Sequence, residues 1–326
     1  MTWTGSWNMS GHVLLFPGQG AQSVGMQKDV FERFEAARKV FQAASEAIGV
    51  DLRKVCFEGP EQDLSRTDLC QPAIFTASTA VLRAVEAVLG HPIEAVAAAG
   101  LSLGEYTALV AAGALEFADA ARLLHARGRY MQQACDEIQG TMYSIIGLAD
   151  AQVEDACRKV QAESGQVWPA NYNSPGQVVI SGERNAAARA AKLCTEAGAK
   201  RAIELKVAGA FHTPLMQSAA VRLAAELERT NLQRAVFSVV ANTTALPVTD
   251  PGEICKLLVR QITSPVRWTQ SIQWCVAQGA GPYWELGPGR VLTGLLKRID
   301  PAQACTAVGT APEVEAAAQT LRGHSM

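Results

Sequence analysis

The sequence lacks the features by which several classes of protein are recognised. Charged residues make up only 18% of its 326 residues and nearly cancel, which leaves a formal net charge of −2. Because nucleic acids and anionic membranes select basic chains, neither is expected as a partner. No apolar run approaches the ~18 residues of a membrane span. Residues 1–11 also lack the basic start and apolar run of a secretory signal.

Cysteine and glycine spacings exclude further classes. The eight cysteines are scattered and include no Cys-x-x-Cys pair, which argues against a metal site or a disulfide framework. A dinucleotide fingerprint beginning at Gly18 would need a glycine at position 23, where Ser23 stands. We therefore expect no metal and no cofactor. Reduced thiols indicate a cytoplasmic protein, or one in an organelle lumen of bacterial origin if a transit segment has been removed.

The apolar residues that are present indicate an α/β fold. They make up 48% of the chain, which is enough for a large core in one domain or two unequal ones. An apolar strand at 12–16 runs into a glycine-rich turn and then into a helix predicted over 26–48, which is typical of the opening of an α/β unit. A polar, turn-rich stretch at 59–72 precedes a long apolar helix predicted over 73–89.

The pentapeptide Gly100-Leu-Ser-Leu-Gly104 matches the Gly-x-Ser-x-Gly pattern of a nucleophile elbow. A strand is predicted before it at 95–99 and a helix after it at 105–115. In such an elbow the sharp turn exposes the hydroxyl of Ser102, and the glycines remove Cβ atoms that would clash. The start of the following helix presents free N–H groups that suit a developing oxyanion.

A buried arginine is predicted on the next helix, over 117–134. Its apolar residues recur at three- and four-residue spacing, and Arg127 lies beside that stripe. Arg122 and Arg129 have polar or small neighbours one turn away and should be solvated. A buried guanidinium needs an anionic partner. That partner is either a carboxylate of the protein or a carboxylate of the substrate, bound bidentately.

Between about residues 140 and 207, the predicted elements change to the order strand, helix, strand, strand, helix, strand. This βαββαβ order is ferredoxin-like. We interpret residues 139–207 as a small inserted domain, and residues 1–138 and 208–326 as the catalytic core, with a cleft between them. The core pattern resumes with strands at 237–241 and 283–286, whereas the tail from residue 300 is weakly patterned.

A serine nucleophile needs a base, and the chain has only five histidines. His212 is the best candidate because it lies in a loop of small and apolar residues where the core resumes. A satisfied structural histidine is the alternative. Residues 206–211 contain no acid, so the imidazole is oriented by something other than a carboxylate, such as a backbone carbonyl. An esterase with the usual triad is therefore a weaker interpretation.

Six motifs can be identified along the chain. They are, in chain order, Phe16-Pro-Gly-Gln-Gly-Ala-Gln22, Gly100-Leu-Ser-Leu-Gly-Glu-Tyr-Thr-Ala-Leu-Val110, Arg127-Gly-Arg-Tyr-Met-Gln132, Gly209-Ala-Phe-His212, Ser264-Pro-Val-Arg-Trp268 and Glu285-Leu-Gly-Pro-Gly289. Together they resemble one enzyme family, the malonyl-CoA:acyl-carrier-protein transacylases of fatty-acid synthesis and the related acyltransferase domains of polyketide synthases. The resemblance covers roughly residues 12–300 and implies an α/β-hydrolase-like core with a parallel sheet and a ferredoxin-like insertion.

The resemblance implies a role for each of five catalytic positions. Ser102 would carry the acyl group as an ester, with His212 as base and acid. The backbone N–H groups of Gln19 and Leu103 would form the oxyanion hole. The backbone carbonyl of Gln261 would orient the histidine, which would account for the missing acid.

The resemblance also implies a substrate pocket. Arg127 would bind the free carboxylate of malonate, with Gln71, Met131 and Asn171 nearby. Phe211 resembles the malonyl-selective form of its loop, because a bulky ring would crowd the α-carbon of methylmalonate. One departure is Leu101, where many relatives have histidine, and we expect it to alter packing at the elbow more than chemistry.

The sequence therefore predicts a monomeric acyltransferase whose partners are malonyl-CoA and an acyl carrier protein. It would transfer the malonyl group by a ping-pong mechanism through a malonyl-serine ester. The alternatives are a stand-alone acyltransferase that serves a polyketide synthase, a serine thioesterase or hydrolase, and an inactive acyltransferase-like scaffold.

Overall fold

Two sheets, one of six strands and one of four, organise the part of the chain that the structure describes. The structure is a computed structural model that describes residues 10–207 and 209–323. The expectation that residues 1–11 are not a secretory signal therefore concerns residues that lie largely outside the described range. The strands are β1 His12–Phe16, β2 Ala95–Gly100, β3 Gly140–Ile146, β4 Val167–Ser174, β5 Gln177–Glu183, β6 Arg201–Glu204, β7 Ser238–Val240, β8 Pro247–Val248, β9 Tyr283–Leu286 and β10 Cys305–Val308.

Helices cover both faces of the larger sheet and one face of the smaller one. A short 3₁₀ turn, Pro214–Met216, precedes the tenth helix. The α-helices are α1 Lys28–Arg33, α2 Glu35–Ile48, α3 Leu52–Glu58, α4 Glu61–Leu64, α5 Thr67–Leu89, α6 Gly104–Ala111, α7 Phe117–Glu137, α8 Asp150–Ala162, α9 Arg184–Glu196, α10 Gln217–Leu227, α11 Pro251–Gln261, α12 Trp268–Ala277, α13 Val291–Ile299 and α14 Ala311–Gly323.

The larger sheet has the strand order β10-β9-β1-β2-β7-β8 and is parallel except for β8. In the pairing of β1 with β2, Phe16 lies opposite Gly100. Both strands end there, so the glycine-rich turn after β1 and the elbow after β2 lie side by side. Ligands of open α/β sheets bind at this carboxyl edge.

The smaller sheet is antiparallel, with the order β4-β5-β3-β6. Its elements follow the βαββαβ order that the sequence predicts, and α8 and α9 pack on it over an apolar cluster of its own. A bridge between Asn171 and Val266 joins β4 to the segment after α11. The chain is thus an α/β protein with a mixed, mainly parallel sheet and a small antiparallel sheet.

Helix α5 lies in the core. Among the described residues it is the one helix that is long and apolar enough to cross a membrane, so the expectation that no stretch approaches that length is wrong. However, 78% of its apolar window is buried inside the protein, against α2, α7 and α14, which is typical of a core helix.

Helix α5 also begins six residues earlier than predicted, at Thr67, and contains Pro72. A proline inside a helix lacks the N–H that would bond to the carbonyl four residues before it. Here that carbonyl, of Asp68, is 3.2 Å from Nδ1 of His125, a side chain of the neighbouring helix α7. The tertiary contact satisfies the carbonyl, which is why the proline does not end the helix.

Two further stretches differ from the sequence analysis. The helix predicted over 26–48 is broken at Phe34, whose backbone is extended and whose half-buried ring packs against the core. The weakly patterned tail forms β10, which pairs with β9, and α14. The buried positions of α14 are Val314, Ala317, Ala318 and Leu321. This spacing is helical, so the signal was present in the sequence.

Candidate active site

The elbow between β2 and α6 holds Ser102 in a conformation that few non-glycine residues adopt, with φ of 54°. A Cβ atom on Gly100 would lie 1.9 Å from the carbonyl carbon of Gly104, and one on Gly104 would lie 2.3 Å from the carbonyl oxygen of Phe16. Both glycines are therefore required by the close approach of backbone segments, as the sequence predicts. The turn lifts the serine side chain out of the backbone.

His212 lies against this serine. Its Nε2 is 2.9 Å from Oγ of Ser102, and its Nδ1 is 2.8 Å from the backbone carbonyl oxygen of Gln261. Gln261 is the last residue of α11, where carbonyls lack a partner within the helix. An Nδ1–H that donates to this carbonyl leaves Nε2 free to accept the serine proton. The negative end of the helix dipole also favours the imidazolium that then forms.

The other histidines that the structure describes lie away from this pair. His12 accepts a hydrogen bond from the indole of Trp284, and His91 is exposed before Pro92. His125 bonds to α5 as described above, and His324, predicted to lie in the tail, falls outside the described residues.

The electrostatics of the site keep His212 neutral. Burial, and to a smaller extent the charge of Arg127, lower its pKa to about 4, against the opposing effect of the Gln261 carbonyl. A neutral imidazole is the form that can act as a base.

We therefore expect the acid limb of the pH profile to lie below the ordinary histidine pKa of ~6.5. As the pH falls from 8, kcat/KM for acyl transfer from malonyl-CoA should stay level through 6.5, because the base form persists until the lowered pKa is reached. Stopped-flow measurement of acylation at low substrate concentration, which reports the free enzyme, tests this. A half-maximal rate at or above pH 6.5 would contradict it.

Arg127 is buried at 1% exposure, as its helical position predicts. Its Nη1 donates to Oε1 of Gln71 at 2.5 Å, and its Nη2 donates to Oγ of Ser102 and to Oε1 of Gln261, both at 2.9 Å. A Cβ atom on the next residue, Gly128, would lie 2.5 Å from the Thr67 carbonyl oxygen, so α7 and α5 approach closely enough for the contact with Gln71.

The partner of Arg127 is not a carboxylate of the described residues. None lies within the 4.0 Å that defines an ion pair, and Nε has no hydrogen-bond acceptor. Its guanidinium instead lies 5.8 Å from the centre of the Tyr106 ring. A buried cation held only by neutral groups is costly. Of the two alternatives that the sequence leaves open, this geometry favours a carboxylate supplied by the substrate.

A cavity of about 460 Å³ opens over the serine, the histidine and the arginine. It is lined by residues of the smaller sheet, by the turns that follow β1 and β2 of the larger sheet, and by residues of α5 and α7, so it lies between the two sheets. Nine of the ten site residues that the sequence predicts line it, and the tenth, Gln261, lies buried behind them. The nine are Gln19, Gln71, Ser102, Leu103, Arg127, Met131, Asn171, Phe211 and His212.

The turn after β1 contacts the elbow, which brings Gln19 and Leu103 to the same wall. A Cβ atom on Gly18 would lie 2.4 Å from the Leu101 carbonyl oxygen. Within the described residues, no acceptor bonds to the backbone N–H of Gln19 or of Leu103. Leu103 is also the N-cap residue immediately before α6, where backbone N–H groups have no partner within the helix.

Two residues beneath the elbow were not predicted. The side chain of Asn242 accepts from Ser102 N and donates to Gly100 O, both at 2.7 Å, so it fixes the elbow. Glu105 accepts from Asn242 N at 3.1 Å and from Nε2 of Gln261 at 2.7 Å. Burial, which outweighs the opposing effects of its hydrogen bonds and of Arg127, raises the pKa of Glu105 to about 7. Glu105 belongs to the elbow motif and could have been found there, but no local pattern marks Asn242.

Comparison with known proteins extends over almost the whole chain. Residues 13–324 match the acyl transferase domain family. The malonyl CoA-acyl carrier protein transacylase of Salmonella typhimurium is 44% identical over 309 residues, which are 95% of this chain and 99% of the relative.

Solved structures agree with this match. An acyl carrier protein S-malonyltransferase of Vibrio cholerae has a TM-score of 0.90 at 43% identity, over 94% of this chain and 100% of that one. A malonyl-transacylase solved in complex with a type II PKS acyl-carrier protein has a TM-score of 0.92 at 41% identity. The match covers 95% of this chain and 100% of that one. The chain belongs to the malonyl CoA-acyl carrier protein transacylase family of acyl transferases.

Proposed function

We propose that this enzyme transfers the malonyl group from malonyl-CoA to the phosphopantetheine thiol of an acyl carrier protein. The observation that carries the proposal is Arg127, a buried cation with no carboxylate partner in the part of the chain that the structure describes, whose Nη2 lies 2.9 Å from the hydroxyl of Ser102. An acyl group with a free carboxylate would supply the missing charge and hold its thioester carbon near the serine. The names of the relatives support malonyl as that group.

In the first half-reaction, His212 Nε2 takes the proton of Ser102 as Oγ attacks the thioester carbonyl carbon. The oxyanion that forms accepts hydrogen bonds from the backbone N–H groups of Gln19 and Leu103. The carbon–sulfur bond then breaks, and His212 returns its proton to the departing CoA sulfur. The malonyl ester remains on Ser102, with its carboxylate bound by Arg127.

In the second half-reaction, the thiol of the carrier protein gives its proton to His212 and attacks the ester carbon. The carbon–oxygen bond breaks, and Ser102 recovers a proton from the imidazolium. Water competes with the thiol at this stage, and apolar side chains that line the cavity, including Met131 and Phe211, disfavour its entry. Side chains and backbone groups carry every step, so we propose that no metal or redox cofactor takes part.

We propose that Phe211 excludes acyl groups with a methyl branch at the α-carbon, such as methylmalonyl. Substitution of Phe211 tests this role in substrate selectivity. It lines the cavity next to His212 at 5% exposure. Phe211→Ser should raise the methylmalonyl-to-malonyl ratio of kcat/KM by about tenfold, because a methyl-sized change in a pocket alters discrimination by ~1–3 kcal/mol. Competition between the two CoA esters, followed by mass spectrometry of the acylated enzyme, measures the ratio. An unchanged ratio would mean that other walls of the pocket select the substrate.

The arrangement of elements supports the finer description that the sequence predicts. We propose an α/β-hydrolase-like core, residues 1–138 and 208–326, and a ferredoxin-like domain, residues 139–207. The elbow at the carboxyl edge of a mainly parallel sheet supports the first label, and the antiparallel order β4-β5-β3-β6 supports the second. We also propose that the enzyme acts as a monomer in the cytoplasm.

A carrier protein of a polyketide pathway is the second candidate for the acceptor. The relative in complex with a type II PKS carrier supports it, because that structure is similar to this chain over nearly its full length. A transfer assay with a panel of acyl-CoAs and both kinds of holo carrier protein decides between the two. Malonyl transfer to neither carrier would contradict the proposed function.

A further inference from the structure

Two opposite charges are buried close to the reaction centre without touching each other. Glu105 is 3% exposed and Arg127 is 1% exposed, and no ion pair joins them. The side-chain amide of Gln261 lies between them. Its Nε2 donates to Oε2 of Glu105 at 2.7 Å, and its Oε1 accepts from Nη2 of Arg127 at 2.9 Å. The three side chains therefore form a chain from carboxylate through amide to guanidinium.

We propose that Glu105 is a positioning residue for malonyl recognition. Its acceptor oxygen holds the Gln261 amide as a bridge to Arg127, and so orients the guanidinium without occupying the face that binds the substrate. The inference rests on the proposed function, because it assigns a role within that same site.

The chemistry of the donor and acceptor groups explains why an acceptor is needed at position 105. An amide can present either its oxygen or its nitrogen to a neighbour. Glu105, when ionised, only accepts hydrogen bonds, and Arg127 only donates them. Gln261 therefore satisfies both neighbours in one orientation, with Nε2 toward Glu105 and Oε1 toward Arg127. That orientation fixes the position of Nη2 of the guanidinium.

The amide bridge also explains how Arg127 can be buried yet remain able to bind an anion. A carboxylate in direct contact would take the bidentate face of the guanidinium that a substrate carboxylate needs. The neutral acceptors Gln71 and Gln261 hold Arg127 without cancelling its charge. Glu105, one amide further away, reduces the cost of burying the cation.

If Glu105 had a purely structural role, its replacement would have a different effect from the one that the proposed role predicts. Glu105 also accepts from Asn242 N, and Asn242 holds the elbow. If Glu105 served only the elbow, its loss would impair Ser102 with every substrate alike. The proposed role instead changes the preference between substrates with and without a free carboxylate, so the malonyl-to-acetyl ratio distinguishes the two.

The experiment compares Glu105→Met, which removes the acceptor, with Glu105→Gln, which keeps an acceptor oxygen in the same place. The rate at which malonyl-CoA and acetyl-CoA each acylate the enzyme is followed by intact mass spectrometry, and thermal unfolding checks folding. Glu285→Gln is the matched control. Glu285 is another buried carboxylate, but its side chain hydrogen bonds, among the described residues, only to the start of α13.

We expect Glu105→Met to lower the malonyl-to-acetyl ratio of acylation rates by about 10- to 100-fold, since small misplacements of a binding group have effects of this size. Glu105→Gln should keep most of the ratio, and Glu285→Gln should leave it unchanged. A parallel loss with both substrates in Glu105→Met, or an equal fall of the ratio in both Glu105 variants, would overturn the inference. Failure of the unaltered enzyme to take up malonyl at all would instead contradict the proposed function.

Discussion

Replacing Arg127 by alanine is expected to lower kcat/KM for malonyl-CoA by about 100- to 1000-fold, while kcat/KM for acetyl-CoA is spared or rises. The guanidinium is buried, is held by Gln71, Ser102 and Gln261, and has no carboxylate partner within the described residues. Its removal leaves the malonyl carboxylate in the cavity without a counter-charge, which is costly. Acetyl-CoA has no carboxylate to desolvate and does not lose this interaction.

Steady-state kinetics with both CoA esters measure the change in preference. Arg129→Ala is the matched control, because Arg129 lies on the same helix but is exposed to solvent, and it should leave both values near those of the unaltered enzyme. The kcat/KM of Arg127→Lys for malonyl-CoA should lie between those of Arg127→Ala and the unaltered enzyme, since lysine keeps the charge but not the planar fork of the guanidinium. An equal loss with malonyl-CoA and acetyl-CoA in Arg127→Ala would mean that the arginine is structural.

Replacing Ser102 by alanine is expected to abolish the acyl-enzyme and to lower the transfer rate by about five to six orders of magnitude, as for the loss of other serine nucleophiles. No other hydroxyl is bonded to His212 among the described residues. Intact mass spectrometry after incubation with malonyl-CoA measures the adduct, and peptide mapping of the unaltered enzyme locates it. An adduct that survives in Ser102→Ala would show that another residue carries the acyl group.

The parts of the site that the sequence could predict are those that depend on local geometry. Gly100 and Gly104, on either side of Ser102, predict a tight turn. The structure shows that a Cβ atom at either position would clash with backbone atoms. The burial of Arg127 follows from its phase on one helix, and His212 was reached by elimination among five histidines. The resemblance to a family then identified Gln261, whose carbonyl lies 2.8 Å from the imidazole.

The parts that the sequence could not predict depend on contacts between segments far apart in the chain. Pro72 looks like a helix boundary until His125, from another helix, supplies the partner for the Asp68 carbonyl. Asn242 follows a short strand without any motif, yet its side chain holds the backbone of Ser102, 140 residues away. The chain from Glu105 through Gln261 to Arg127 likewise joins three separate helices, and only the fold brings them together.

The most direct test of the central claim follows the malonyl group itself through the unaltered enzyme. The enzyme is incubated with malonyl-CoA, its intact mass is recorded over time, and holo acyl carrier protein is then added. The account predicts a single malonyl adduct that persists until the carrier is added and then appears on the carrier as a thioester. Absence of the adduct, or release of free malonate before the carrier is present, would contradict it.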